Sequence, residues 1–150
     1  MPHSYSNILT HIVYSTKNRR PFIDAALEAR LYPYLGGIVR ELRGKLYLVN
    51  GVEDHVHLLT ELPPTIAVAD AIGKIKGAST YWIHQSFPDQ SGFAWQRGYA
   101  AFSVSKSKVA TVARYIEGQK EHHKKQSFQD EFQELLRRHG IPINEKYLWT

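Results

Sequence analysis

Two short strand-like segments, 45–50 and 55–62, flank Gly51-Val52-Glu53-Asp54, and that pattern predicts a β-hairpin. Pro63-Pro64 ends the second run. Helix-spaced segments stand on both sides of the hairpin. Before it, Leu27, Leu31, Tyr34, Leu35, Ile38 and Leu42 recur at three and four residues behind Asp24, a suitable N-cap, and Gly44 stops the run. Pro33 lies inside the pattern and predicts either a kink or a late helix start. After the hairpin, Thr65 is expected to cap a helix over 66–85. A stretch rich in Ile, Val, Thr and Tyr predicts a first strand over 4–16, and a fourth strand is expected over 99–104. The order strand, helix, strand, strand, helix, strand predicts a ferredoxin-like α+β fold, an antiparallel sheet with helices on one face. Two more helices follow: 105–125, with Val109, Val112, Ala113 and Ile116 as its buried stripe, and an amphipathic one over 128–139, stopped by Gly140 and Pro142.

At 150 residues and 43% hydrophobic, the chain predicts one domain over 1–150 with a single core. It has no unbroken 18-residue apolar run, which argues against a helical membrane span. The opening Met1-Pro2-His3-Ser4-Tyr5-Ser6 lacks a charged n-region and an apolar h-region, so no signal peptide is expected and the expected address is the cytoplasm. The absence of cysteine excludes disulfides, thiolate zinc sites and cysteine nucleophiles. Lys and Arg number 19 against 14 acids, a net charge of +5 that fits a polyanionic partner such as nucleic acid without singling one out. Eight histidines are the more unusual feature, because imidazole does metal and proton chemistry.

Two pairs carry the chemistry. His55 and His57 are two apart on a predicted strand, so both face one side and could share a metal ion, while Val56 and Leu58 face the other. Two exposed histidines on an open sheet face are the commoner meaning of such a pair taken alone. Tyr115 and Gln119 are i and i+4 on a predicted helix and stack a turn apart. A glutamine amide oxygen suits Mg²⁺ or Mn²⁺, and a phenol can attack phosphorus. Taken alone, a tyrosine at a core edge is again the commoner meaning.

Together, Asp54-His55-Val56-His57-Leu58-Leu59 and Tyr115-Ile116-Glu117-Gly118-Gln119 resemble the HUH endonuclease superfamily. More narrowly, the chain resembles the single-tyrosine transposases of insertion sequences that move as single-stranded DNA. The resemblance extends through His11 to Pro21, Lys76 to Thr80, Trp95 to Tyr99, His122-His123 and Glu145 to Trp149. It implies that Tyr115 attacks the scissile phosphate, forming a 5′-phosphotyrosine and releasing a 3′-hydroxyl. It implies that His55, His57 and Gln119 hold a divalent metal, Mg²⁺ or Mn²⁺. Hairpins at the element ends would be the recognised DNA, and a homodimer with composite active sites the working form. Gly118 departs from the family pattern and costs helix propensity, about 1 kcal/mol. His122, two turns past Tyr115, is a possible accessory for substrate orientation or proton transfer. His11 is expected to be structural.

The expected DNA contacts are Lys17, Arg19, Arg20, Lys76, Arg97, Lys106, Lys108 and Arg114 on phosphates, with Trp95 stacking on an unpaired base. Phe102 is expected in the core. Two rival readings share the fold: a non-catalytic nucleic-acid-binding regulator, and a relaxase or replication-initiator nickase. The four residues His55, His57, Tyr115 and Gln119 together argue against the first, and the short chain against the second.

Overall fold

The computed structural model describes residues 4–150; Met1-Pro2-His3, which carried part of the signal-peptide expectation, lie outside the described residues. The main elements are β1 (Leu9–Ser15), α1 (Ala25–Glu41), β2 (Lys45–Val52), β3 (His55–Glu61), α2 (Val68–Ser86), β4 (Ala100–Val104), α3 (Val109–Glu117), α4 (Gln119–His122) and α5 (Phe128–Arg138). The strands form one antiparallel sheet in the order β2-β3-β1-β4, as the ferredoxin-like reading requires. No helix among the described residues is long and apolar enough to cross a membrane.

The crossover helices α1 and α2 cover one sheet face. Ile12 and Tyr14 of β1 and Val56 and Leu58 of β3 pack there against Leu27, Leu31, Leu35, Ile72 and Ile75. The C-terminal elements cover the opposite face: Val13 and Phe102 meet Phe128, Phe132, Leu135 and Leu136, while Leu9 and Leu59 meet Ile116. Every residue of β1 is therefore buried. A central strand covered on both faces has no solvent side, so even its polar Thr10, His11 and Ser15 are buried.

Several boundaries differ from expectation. Strand β1 begins at Leu9 instead of Ser4, because its pairing with both neighbours starts there, opposite Glu61 and Val104. Asp24 does cap α1, accepting from the Leu27 amide at 2.8 Å. The helix runs through Pro33, which lies on its exposed side and forfeits one backbone bond. Arg43 takes the left-handed turn after α1 (φ 67°), and Gly44 is needed for space: a Cβ there would lie 2.7 Å from the Glu61 carbonyl oxygen. Thr65 does not cap α2, which starts at Val68 without a side-chain cap. The helix expected over 105–125 opens with a 3₁₀ turn and breaks at Gly118 into α3 and α4. Glycine's weak helix propensity accounts for the position of that break.

The hairpin positions the site most directly. Its strands run up to Val52 and resume at His55, so the turn is only Glu53-Asp54. Gly51 sits so close to β3 that a Cβ would lie 2.1 Å from the His55 carbonyl oxygen. Replacing Gly51 by Ala should force the strands apart beside His55 and destabilise the fold by about 1–3 kcal/mol. A lowered urea midpoint measures this; an unchanged midpoint would show that the hairpin yields without strain.

Candidate active site

His55 and His57 point from β3 toward the layer of C-terminal helices, and neither is exposed at all. Alternation along the strand dictates this, since Val56 and Leu58 take the α1/α2 side. Tyr115 and Gln119 reach the same place from α3 and α4, so the break at Gly118 does not separate them. The third contributor is α5. Ser127 caps it, accepting from the Asp130 amide, and it buries Phe128, Glu131, Phe132, Leu135 and Leu136.

Glu131 is the centre of the cluster, 1% exposed. Its Oε1 lies 3.3 Å from His55 Nε2, 3.1 Å from His57 Nε2 and 2.9 Å from His123 Nε2. Its Oε2 accepts from the Tyr115 hydroxyl and, at 2.8 Å, from Gln119 Nε2. Gln119 Oε1 stands 3.0 Å from His55 Nε2. Behind the pair, His11 Nε2 lies 2.8 Å from His57 Nδ1. One donor atom each from His55, His57, His123 and Glu131 lies within 4.8 Å of the others, a grouping that could hold a divalent metal ion.

The electrostatics follow from burial and from this one carboxylate. Burial would raise the Glu131 pKa, but hydrogen bonds from His123, His55 and His57 outweigh it and hold the group well below the usual carboxylate range. Burial lowers His55, yet its bonds to Asp54 and Glu131 win and lift it to about 9. His57 falls to about 4, because burial exceeds the pull of Glu131. His11 falls to about 3 through burial and repulsion from His57. Burial and Glu131 together push the Tyr115 phenol above its usual range.

The structure thus brings His55, His57, Tyr115 and Gln119 together within one chain. His122 stands at the margin, its Nε2 3.7 Å from Glu131 Oε2. His11 belongs to the site's support, touching His57, and not only to the core. Two DNA-contact expectations are corrected. Trp95 is buried edge-on to Tyr14 and Phe93 and donates from Nε1 to Ser79, so its ring is not free to stack on a base. The Lys76 ammonium is occupied by the carbonyls of Gln96 (2.9 Å) and Gly98 (2.6 Å), and burial lowers it to about 8. Lys17, Arg20, Arg97, Lys106, Lys108 and Arg114 are exposed, and Arg19 lies over the Trp149 ring. Arg19 lines a cleft of about 680 Å³ on the His123 side of the cluster; Lys108 lines another of about 760 Å³ that reaches Tyr115. Phe102 is in the core, as expected. Sequence reasoning missed Glu131. The available signal was an acid on the apolar stripe of 128, 132, 135 and 136, where a carboxylate is stable only with buried partners.

Residues 4–119 match the family described as transposase, IS200-like. The transposase for insertion sequence element IS200 of Salmonella typhimurium is 29% identical over 133 residues, covering 83% of this chain and 84% of the relative. The ISDra2 transposase TnpA of Deinococcus radiodurans is 26% identical over 114 residues, covering 73% and 81%. A crystal structure from Deinococcus radiodurans R1, provisionally assigned as a transposase, superposes with a TM-score of 0.66 at 25% identity, covering 78% of this chain and 94% of its own. The REP-associated tyrosine transposase bound to a REP hairpin gives a TM-score of 0.62 at 14% identity over 81% and 72%, a likeness of fold. On the match over residues 4–119, with the four-stranded sheet to carry it, the chain belongs to the IS200-like transposase family and is a transposase.

Proposed function

We propose that residues 1–150 form one domain that nicks and rejoins single-stranded DNA through a covalent tyrosine link. The observation that carries this reading is the convergence of Tyr115 and Gln119 on the buried His55/His57 pair. Tyr115 is the nucleophile. Its oxygen bonds to phosphorus, the bond from phosphorus to the 3′-oxygen breaks, and the net change moves one proton from the phenol to the new 3′-hydroxyl. The DNA 5′-phosphate stays on Tyr115, so the reverse attack by another 3′-hydroxyl rejoins strands without ATP. His55, His57 and Gln119 would hold the divalent ion, Mg²⁺ or Mn²⁺. Such an ion, when bound, neutralises phosphate charge as it develops. Their chemistry fits: two imidazole nitrogens and an amide oxygen, already oriented by Asp54, His11 and Glu131.

The exposed bases Lys17, Arg20, Arg97, Lys106, Lys108 and Arg114, with Arg19, supply phosphate contacts on this reading. The likeness of fold to a transposase holding a REP hairpin supports hairpin ends as the recognised DNA. His55, His57 and Gln119 are fully buried beneath α3 to α5, so on this reading a DNA strand reaches them only after those helices shift. The resemblance also implied a homodimer with composite sites. The geometry of a single chain supports a self-contained site, since Tyr115 already lies beside its own His57, ring centroids 5.7 Å apart.

Three outcomes follow. With single-stranded flanking DNA, the unaltered chain should yield a covalent adduct, and Tyr115→Phe should yield none while keeping its fold. An adduct mapped by mass spectrometry to another tyrosine would move the nucleophile. His57→Ala should abolish nicking while hairpin affinity stays within about tenfold, because phosphate contacts dominate binding. Finally, Tyr115→Phe chains mixed with His57→Ala chains, with subunit exchange verified, should stay silent if each site is self-contained; recovered cleavage would establish shared sites.

A further inference from the structure

His123 is built into the cluster in the same manner as the two strand histidines, although it lies on another element and outside the His-Val-His pattern. Each of the three imidazoles is anchored at Nδ1 by a group on its outer side. His55 meets Asp54 Oδ1 at 2.8 Å, His57 meets His11 at 2.8 Å, and His123 donates to the Gln126 carbonyl at 2.7 Å. Each then turns Nε2 inward, and all three converge on Glu131 Oε1. Histidines that bind metal characteristically fix their outer nitrogen in this way, which sets the tautomer and the ring orientation. The spacings fit as well. Metal bonds of roughly 2.0–2.1 Å to four ligands leave neighbouring donor atoms about 3.3 Å apart, and the three nitrogens lie 2.9–3.3 Å from the carboxylate oxygen. The other oxygen of Glu131 is engaged separately, by Tyr115 and Gln119. Helix α5, which supplies Glu131, lies beyond the 4–119 span of the family match.

We propose that, in this closed form, His123 Nε2 and Glu131 Oε1 join His55 and His57 as ligands of the divalent ion, while Glu131 Oε2 holds the nucleophilic Tyr115 against it. The inference rests on the metal reading of the preceding subsection and changes its ligand set in this form: His123 and Glu131 take the place of Gln119, which is held by Glu131 Oε2. Glu131 is then a positioning residue for Tyr115 as well as a ligand. Three imidazoles and a carboxylate suit a borderline ion, which makes Co²⁺ an apt probe because its visible absorption reports the ligand set.

The experiment titrates Co²⁺ into the full chain without DNA and follows visible absorption, with far-ultraviolet circular dichroism checking each variant's fold. Glu131→Gln keeps the side-chain shape and removes the charge. It should weaken Co²⁺ binding at least tenfold and alter the absorption band. His123→Gln, which leaves α5 untouched, should weaken it likewise. If His57→Ala abolishes binding while both of these variants bind as the unaltered chain does, the metal reading stands and the proposal falls. Tighter binding by Glu131→Gln would also overturn it, since the carboxylate would then be occupying the ion's place. An unaltered chain that takes up no Co²⁺ would overturn both readings.

Discussion

A single buried carboxylate ties the C-terminal half of this chain to its sheet. Glu131 comes from α5, its imidazole partners from β3 and the end of α4, and its remaining partners from α3 and α4. A carboxylate buried to this degree is tolerable only because both oxygens are satisfied, and removing one partner from such a cluster typically costs about 3–5 kcal/mol. The apolar contacts of Phe128, Phe132, Leu135 and Leu136 hold α5 on the sheet in a non-directional way. Glu131 adds direction, fixing which part of the helix meets which strand. The polar cluster and the apolar layer are thus two halves of one interface.

The same interface explains why the histidine pair is both rigid and sealed. Strand β3 is paired on both sides, by β1 and β2, so the backbone that carries His55 and His57 cannot shift without breaking two ladders. The tight Glu53-Asp54 turn brings Asp54 onto His55 Nδ1, and the neighbouring strand brings His11 onto His57 Nδ1. A short turn and a sheet register therefore do the orienting that longer side-chain networks do elsewhere. In contrast, Tyr115 and Gln119 sit on either side of a helix break, on elements held mainly through their packing on β2 and β3. The histidine pair and the Tyr115–Gln119 pair thus rest on different supports, two strand ladders for the first and helix packing on the sheet for the second.

The expected DNA surface shows how far charge alone can be read. Lys108 and Arg114 are exposed as their helical positions suggest, whereas Lys76 and Trp95 are not available. Lysine and tryptophan have dual character: a long stem or a large ring buries well, and a polar tip then finds a local partner. Lys76 finds the carbonyls of the 96–98 loop and Trp95 finds Ser79. Whether such a residue faces water or core depends on neighbours that are distant in sequence.

The order of elements, the hairpin, the Asp24 cap and the shared face of His55 and His57 are legible in the sequence, because periodicity and turn chemistry are local properties. Spacing alone places Tyr115 and Gln119 together, and the ordered set of motifs resembles the transposase family. Packing across the sheet is what starts the first strand at Leu9, covers the face opposite α1 and α2, and brings Glu131, His123 and His11 to the pair. Glu131, His123 and His11 lie 74, 66 and 46 positions from His57, with no sequence pattern linking them to it. Local rules set which way a side chain points along its own element; packing of elements across the sheet sets what it meets.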